Sequence, residues 1–301
     1  MPSDRLAIYT TMYPGCERFL PSWCDSLLRQ TDRGGDLWVG LDSMTPAQVL
    51  AAVNAPLKAR WVVGRQGDTP ASLRQRAFAS LVGEYDKIVF VDVDDLLEPT
   101  RIESARQALD EVDVVASALR LIDEHGTDLG LAFGPEADVD LSALLVRYNV
   151  FGLSNTAYRA RALGDCLPVP ATCVLIDWLL ATRASVIGAT LRFDDVPRMA
   201  YRQYADNCAP VVPPFTARGV LTASERVVLH YRLLLESNWP WPDGARRPYE
   251  IARMRADRFK QTITTSRAVL GRYVAALNEL TPQYVWWWAV AHPDLEHLWS
   301  R

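Results

Sequence analysis

The chain of 301 residues is 49% hydrophobic and 23% charged, an ordinary globular composition with enough apolar material for one large domain or two. A net charge of -4 gives no reason to expect a nucleic-acid partner, and no uncharged apolar run reaches the ~18 residues of a membrane span. The start, through Leu6-Ala7-Ile8, lacks the basic and long apolar regions of a signal peptide, and Cys16, Cys24, Cys166, Cys173 and Cys208 form no CxxC pair, so reduced thiols in a cytoplasmic protein are expected.

Strand and helix alternate through the first half. Leu6–Thr11 reads as a strand; after Tyr13-Pro14-Gly15 the spacing of Phe19, Trp23 and Leu27, joined by Leu20 and Leu28, predicts a helix. Asp36–Leu41 is a second strand closed by Asp42-Ser43. Thr45-Pro46 then opens a helix through about Val53, with proline in the first turn where its missing N–H costs nothing. Trp61-Val62-Val63 and a helix from Thr69-Pro70 to near Gly83 make a third unit, and Lys87–Asp92 with a helix from Pro99 to about Glu111 a fourth. Such a series of units needs crossover connections, hence a parallel sheet covered on both faces. Asp113–Asp123 then reads as a strand, and Glu124-His125-Gly126-Thr127 as a turn into Leu129–Phe133, an antiparallel addition. Val139–Tyr148 carries helical spacing, Gly152–Tyr158 a short strand, and Ala171–Ala184 has Asp177-Trp178 at the head of a helix. From about Pro210 the composition shifts. Val227, Tyr231, Leu234 and Leu235 mark an amphipathic helix and Tyr249–Leu280 a long one basic on one side, together a helical extension on the sheet domain.

The chemistry gathers at strand ends. Ile88-Val89-Phe90-Val91 is continuously apolar, as a strand buried on both faces must be, and it leads into Asp92, Asp94 and Asp95. In open α/β sheets the ligand crevice lies beyond the carboxyl ends of the strands, so these acids line it. Three carboxylates so close repel one another, and a hard cation such as Mg²⁺ or Mn²⁺, which prefers oxygen ligands, relieves them. A solvated acidic loop ahead of a helix is the plainer reading. Asp42 ends the second strand at the same crevice, either to accept from a base imide or ribose hydroxyl or to cap the helix near Thr45. Arg74 either holds a phosphate, neutralises an aspartate or is an exposed helix arginine; Arg76, two residues on, faces elsewhere.

In shared order over about two thirds of the chain, these segments resemble the family 2 glycosyltransferases of the GT-A fold. Tyr9-Thr10-Thr11-Met12-Tyr13 is similar to the first-strand segment that contacts the nucleotide, Phe19–Thr31 to the first helix, Leu41-Asp42-Ser43 to the site of a base-contacting aspartate, and Phe90–Asp95 followed by Pro99 to the DxD signature. The resemblance implies a Rossmann-like α/β fold, a mostly parallel sheet flanked by helices. It implies metal-dependent, inverting transfer of a hexosyl group from a UDP-, GDP- or dTDP-sugar to a carbohydrate, lipid-linked or other hydroxyl acceptor. Carried over residue by residue, Thr11 and Tyr13 border the base, Asp42 bonds it, Arg74 stands near the phosphates, and Asp92 belongs to the donor site. Asp94 approaches the ribose or donor sugar, and Asp95, with Asp94, the Mg²⁺ or Mn²⁺. Asp177 in Leu175-Ile176-Asp177-Trp178 resembles the catalytic acid ahead of an aromatic residue and would be the general base; Ile176 stands where the family commonly has Glu. Tyr201-Arg202-Gln203 followed by Asn207 resembles the segment that closes over the diphosphate, with Arg202 bonding it and Tyr204 in place of a frequent His. The chain then divides into a donor half, 1–120, an acceptor and catalytic half, 121–209, and the helical extension, 210–301.

Plainer readings stand beside these. Asp177 also suits a helix N-terminus. Trp286-Trp287-Trp288 among Val285, Ala289 and Val290 reads as core packing before sugar stacking, with shallow membrane contact aided by Arg253, Arg255, Arg258 and Lys260 as a third reading. His125, His230, His292 and His297 show no metal spacing. Two other functions stay open. One is a haloacid-dehalogenase-type phosphohydrolase with Asp92 as nucleophile and Asp94 as acid/base, although three units precede its loop, no convincing lysine follows and Asp194-Asp195 is the only candidate for its second acidic pair. The other is a silent sugar-nucleotide binding module, which Ile176 keeps open.

Overall fold

A computed structural model describes residues 4–53, 57–204, 207, 209 and 211–300. Its sheet grows outward from β1 (Leu6–Met12), which is buried along its whole length. β1 pairs in parallel with β2 (Gly35–Leu41) on one side, and β2 with β3 (Arg60–Val63); on the other side β1 pairs in parallel with β4 (Lys87–Phe90). Helices α1 (Leu20–Leu28), α2 (Pro46–Val53) and α3 (Pro70–Glu84) supply the crossovers that this parallel order requires. Their starts follow the sequence. The Thr69 hydroxyl accepts from Ser72 N at 3.1 Å, and Thr45 and Gln48 form a reciprocal capping box, Thr45 N donating to Gln48 Oε1 at 2.8 Å and Gln48 N to Thr45 Oγ1 at 3.3 Å. Because Thr45 caps α2, Asp42 is not needed for that purpose.

The second half stitches the acidic loop after β4 to a strand absent from the sequence reading. β5 (Leu96–Leu97) ends that loop, α4 (Arg101–Ala108) follows, and β6 (Val114–Ile122) and β7 (Asp128–Phe133) form the expected antiparallel pair. After α5 (Leu141–Leu145), β8 (Thr156–Arg159) wedges antiparallel between β4 and β6. Beyond α6 (Ala160–Asp165) and α7 (Ile176–Val186) comes β9 (Leu191–Arg202), parallel to β6 and antiparallel to β5, with Leu96 opposite Ala200. Pro197 and the acids Asp194-Asp195 break any strand period in β9, and the register slips where they lie, between Ser117 and Leu119 of β6. Two shorter differences have local causes. Asp140 caps α5, accepting from Ser142 N at 2.9 Å and Ala143 N at 3.1 Å, and so starts it later than Val139. The long basic helix is two, α9 (Arg247–Thr265) and α10 (Arg267–Glu279), because Ser266 leaves helical geometry and caps the second.

The tail packs inward. Trp286 and Trp288 are 4% and 1% exposed, so the tryptophans are core, although in irregular backbone rather than a helix. The membrane-contact reading loses its tryptophans as inserting side chains, and its three arginines are engaged: Arg253 pairs with Glu236 and Asp257, Arg255 with Glu296, and Arg258 donates to the Ser300 carbonyl. No described helix is long and apolar enough to cross a membrane. Cys16, Cys24, Cys166 and Cys173 are free and buried; Cys208, like the expected boundary at Pro210, lies outside the described residues.

From α8 (Ala217–Glu236), His230 stacks on Trp178 of α7, ring centroids 4.1 Å apart and 8° from parallel. Neither ring nitrogen has a hydrogen-bond partner among the described residues, and burial, helped by the Arg183 charge, pushes its pKa from 6.5 to about 3. Between those values the unfolded chain binds the proton that the folded one refuses, so this residue lowers stability as pH falls through 6.5. We expect His230→Phe, which keeps the stack, to flatten the fall in Tm between pH 6.5 and 4 relative to the parent. Identical declines for the two proteins in calorimetry would remove His230 as the acid-sensitive group.

Candidate functional site

The carboxyl ends of β1, β2 and β4 fall together because their registers align Met12 with Leu41 and Tyr9 with Phe90. Tyr13, Asp42 and the Asp92–Asp95 loop therefore share one edge, the place where a parallel sheet opens to ligand. Asp42 is half-buried there. Its N–H donates to the Met12 carbonyl at 2.9 Å, and its carboxylate accepts from the Ser43 hydroxyl at 3.1 Å. Thr11, at the end of β1, accepts from Arg74 Nε at 3.2 Å and donates to the Tyr9 hydroxyl at 3.1 Å. Arg74 makes no ion pair among the described residues, whereas Arg76 turns away to Asp68 at 2.5 Å. The two side chains point apart, as residues two positions apart on α3 must.

Asp92 accepts no side-chain hydrogen bond among the described residues. Burial first, then the charge of Asp94, raises its pKa to about 7; Arg74 works against the rise and Asp177 adds to it. Asp92 thus feels Asp94, Arg74 and Asp177 at once. Asp177, in the first turn of α7, accepts from Asn149 Nδ2 at 2.9 Å. Burial lifts its pKa to about 6, opposed by the N–H groups of the first turn and by Arg74. Asp94 is half-buried, and its Oδ2 accepts from Tyr204 Oη at 2.7 Å and Tyr13 Oη at 3.4 Å.

Asp95 and Arg202 stand differently from what the sequence led us to expect. Asp95 is 1% exposed: one carboxylate oxygen accepts from Arg202 N at 2.8 Å and the other from the Ser154 hydroxyl. Each oxygen thus has a donor within the protein, and the side chain is closed off from solvent. Arg202, also buried, lies 4.9 Å over the Phe19 ring and spends its guanidinium on carbonyls, those of Asp94 at 2.8 Å, Glu124 at 3.0 Å and Asp123 at 3.3 Å. Together they fasten the acidic loop to the end of β9. The pairing of β5 with β9 is the backbone reason, since it carries Arg202 alongside the loop.

Of the acidic loop, the carboxylates left open to the crevice are Asp92 and Asp94. Two hard oxygen donors, one with its proton affinity raised by burial and then by a like charge, fit a divalent cation that takes its other ligands from phosphate or water. Among the described residues no group of three or more His, Cys, Asp and Glu is placed to hold a metal by itself. The second acidic pair that a phosphohydrolase needs is elsewhere: Asp194 is taken up by Arg198 at 3.0 Å and Ser104 at 3.3 Å, and Asp195 is exposed. Sequence reasoning missed Asn149 and Ser154, which carry no motif. It marked Tyr204 only as a replacement for His, though that replacement was the signal.

Neither a protein-family model nor a curated protein matches the sequence. Solved structures share the fold. S. aureus TarS superposes with a TM-score of 0.53 at 16% identity, covering 87% of this chain and 44% of that one, so the chain spans less than half of that protein. S. aureus TarS 1–349 in complex with UDP-GlcNAc gives 0.56 at 16% identity over 98% and 81%. The mannosyltransferase PcManGT from Pyrobaculum calidifontis, in complex with GDP-Man and Mn²⁺, gives 0.59 at 13% identity over 90% and 75%. The sheet flanked by helices is thus the GT-A-like fold of these proteins, as the sequence leads one to expect.

Proposed function

We propose that the chain is a metal-dependent, inverting glycosyltransferase of the family 2 type, moving a hexosyl group from a nucleotide-diphospho-sugar to an acceptor hydroxyl. One observation carries this reading: Asp177, held in the first turn of α7 by Asn149 and lifted by burial to a pKa of about 6, feels the Arg74 charge that also acts on Asp92. That juxtaposes a proton acceptor with a seat for a charged leaving group. Proteins of like fold were captured with UDP-GlcNAc and with GDP-Man and Mn²⁺, which supports a sugar-nucleotide donor.

Thr11, Tyr13 and Asp42 border the base and ribose, and Arg74 takes the phosphates with the guanidinium donors that Thr11 leaves over. Asp92 and Asp94 hold Mg²⁺ or Mn²⁺. When bound there, the ion supplies positive charge to the departing diphosphate. Asp95 and Arg202 position that loop. Asp177 is mostly ionised at neutral pH and accepts the acceptor hydroxyl's proton as the hydroxyl attacks the anomeric carbon from the face opposite the diphosphate. Residues 1–120 furnish the donor side and 121–209 the base, and α8 of the extension over 210–301 packs behind α7.

Incubation with UDP-, GDP- and dTDP-sugars, with and without Mn²⁺ or Mg²⁺, tests the reading through slow transfer to water. Metal-dependent release of one nucleoside diphosphate is expected. No release, and no shift in Tm with any nucleotide and metal, would overturn it.

A further inference from the structure

Asp177 owes its orientation to a residue outside the strand ends. Asn149 is fully buried. Its Nδ2 donates to Asp177 Oδ2 at 2.9 Å and to the Phe151 carbonyl at 3.3 Å, while its Oδ1 accepts from Phe151 N at 3.0 Å. The last bond fixes which way the amide points, so a donor faces the carboxylate. The main chain of Asn149 is bridged in turn to the tail: Trp286 N donates to the Asn149 carbonyl at 3.1 Å, and Asn149 N to the Trp286 carbonyl at 3.3 Å.

Trp286 is itself immobilised. Its ring lies 4.1 Å from that of Phe133 and 5.6 Å from that of Tyr201, at 89°, and its Nε1 reaches the Tyr201 hydroxyl at 3.4 Å. Gly152 makes room for it, since a Cβ there would stand 2.4 Å from the indole. Trp286 therefore touches Asn149 behind the base and Tyr201, the neighbour of Arg202, behind the acidic loop.

We propose that Asn149 is the positioning residue for Asp177 and that Trp286 locks it in place, so that the helical extension governs the transfer step without touching the donor. The inference rests on Asp177 as the base. A carboxylate free to turn loses the aligned geometry of attack, worth about a hundredfold in rate. Loss of the Nδ2 donor also removes a bond that favours the ionised form, against an unchanged background of Arg74 and Asp92, the charged groups facing Asp177.

The experiment follows metal-dependent release of nucleoside diphosphate from the sugar nucleotide that the parent hydrolyses. Variants are Asn149→Ala, Asn149→Asp and Gly152→Ala, with Asp177→Asn as reference. We expect kcat to fall about 10- to 100-fold in all three, with the donor KM within about twofold and, in Asn149→Ala and Gly152→Ala, the acid limb of kcat moved to higher pH. Gly152→Ala displaces the Trp286 indole and leaves the Asn149 side chain itself unaltered, and Asn149→Asp, equal in volume, decides the matter should the alanine variant not fold. Unchanged kcat and acid limb in these variants, with Asp177→Asn inactive, overturn the positioning role and leave the base in place. Turnover surviving in Asp177→Asn removes the base and this inference with it.

Discussion

Asp177→Asn is expected to bind donor as the parent does and to transfer at least about a thousandfold more slowly, within the range that a positioned general base contributes. The amide matches the carboxylate in shape and can still accept from Asn149 Nδ2, so the first turn of α7 keeps its place. It cannot accept a proton. In the parent the acid limb of kcat should fall near pH 6, the value to which burial lifts this carboxyl. Titrating UDP, GDP or dTDP with Mn²⁺ into the variant separates binding from chemistry. Turnover within tenfold of the parent would place the base elsewhere, and loss of nucleotide binding would make Asp177 part of the donor seat instead.

How far the sequence carries to this site depends on what each segment had to signal. A strand buried on both faces has no choice but to be apolar, so Ile88–Val91 identified itself, and the rule for parallel sheets then placed Asp92, Asp94 and Asp42 on one edge. Arg74 followed because helical spacing separates it from Arg76. The sequence could not say which of two adjacent acids turns inward, because Asp94 and Asp95 lie in a loop with no fixed alternation. That choice was made by β9, through Arg202 N, and β9 itself was hidden by Pro197 and its acids. The support of Asp177 was equally out of reach: Asn149 and Trp286 meet through backbone bonds that any side chains could make, and such pairing leaves no compositional trace.

The neighbours Asp94 and Asp95 are expected to fail in opposite ways. Asp94 is half-exposed beside the like charge of Asp92, so Asp94→Asn relieves repulsion and leaves the Tm of the free protein equal or slightly higher. What it removes is one of two carboxylates available to a cation. The stabilisation by nucleotide and Mn²⁺ together, about 2.7 kcal/mol for a ligand at a hundred times its Kd, should then vanish. Asp95→Ala does the reverse. It strands the Arg202 N–H and the Ser154 hydroxyl in a buried site, at about 1–3 kcal/mol for each group left without a partner, and so lowers the Tm of the free protein by several degrees. Some of the nucleotide response survives, because Asp92 and Asp94 remain. Scanning calorimetry on both variants, with and without nucleotide and Mn²⁺, reads the two effects apart. A free protein of parental stability in Asp95→Ala, with the nucleotide response lost, would return the metal to Asp95 and make Asp94 the structural member of the pair.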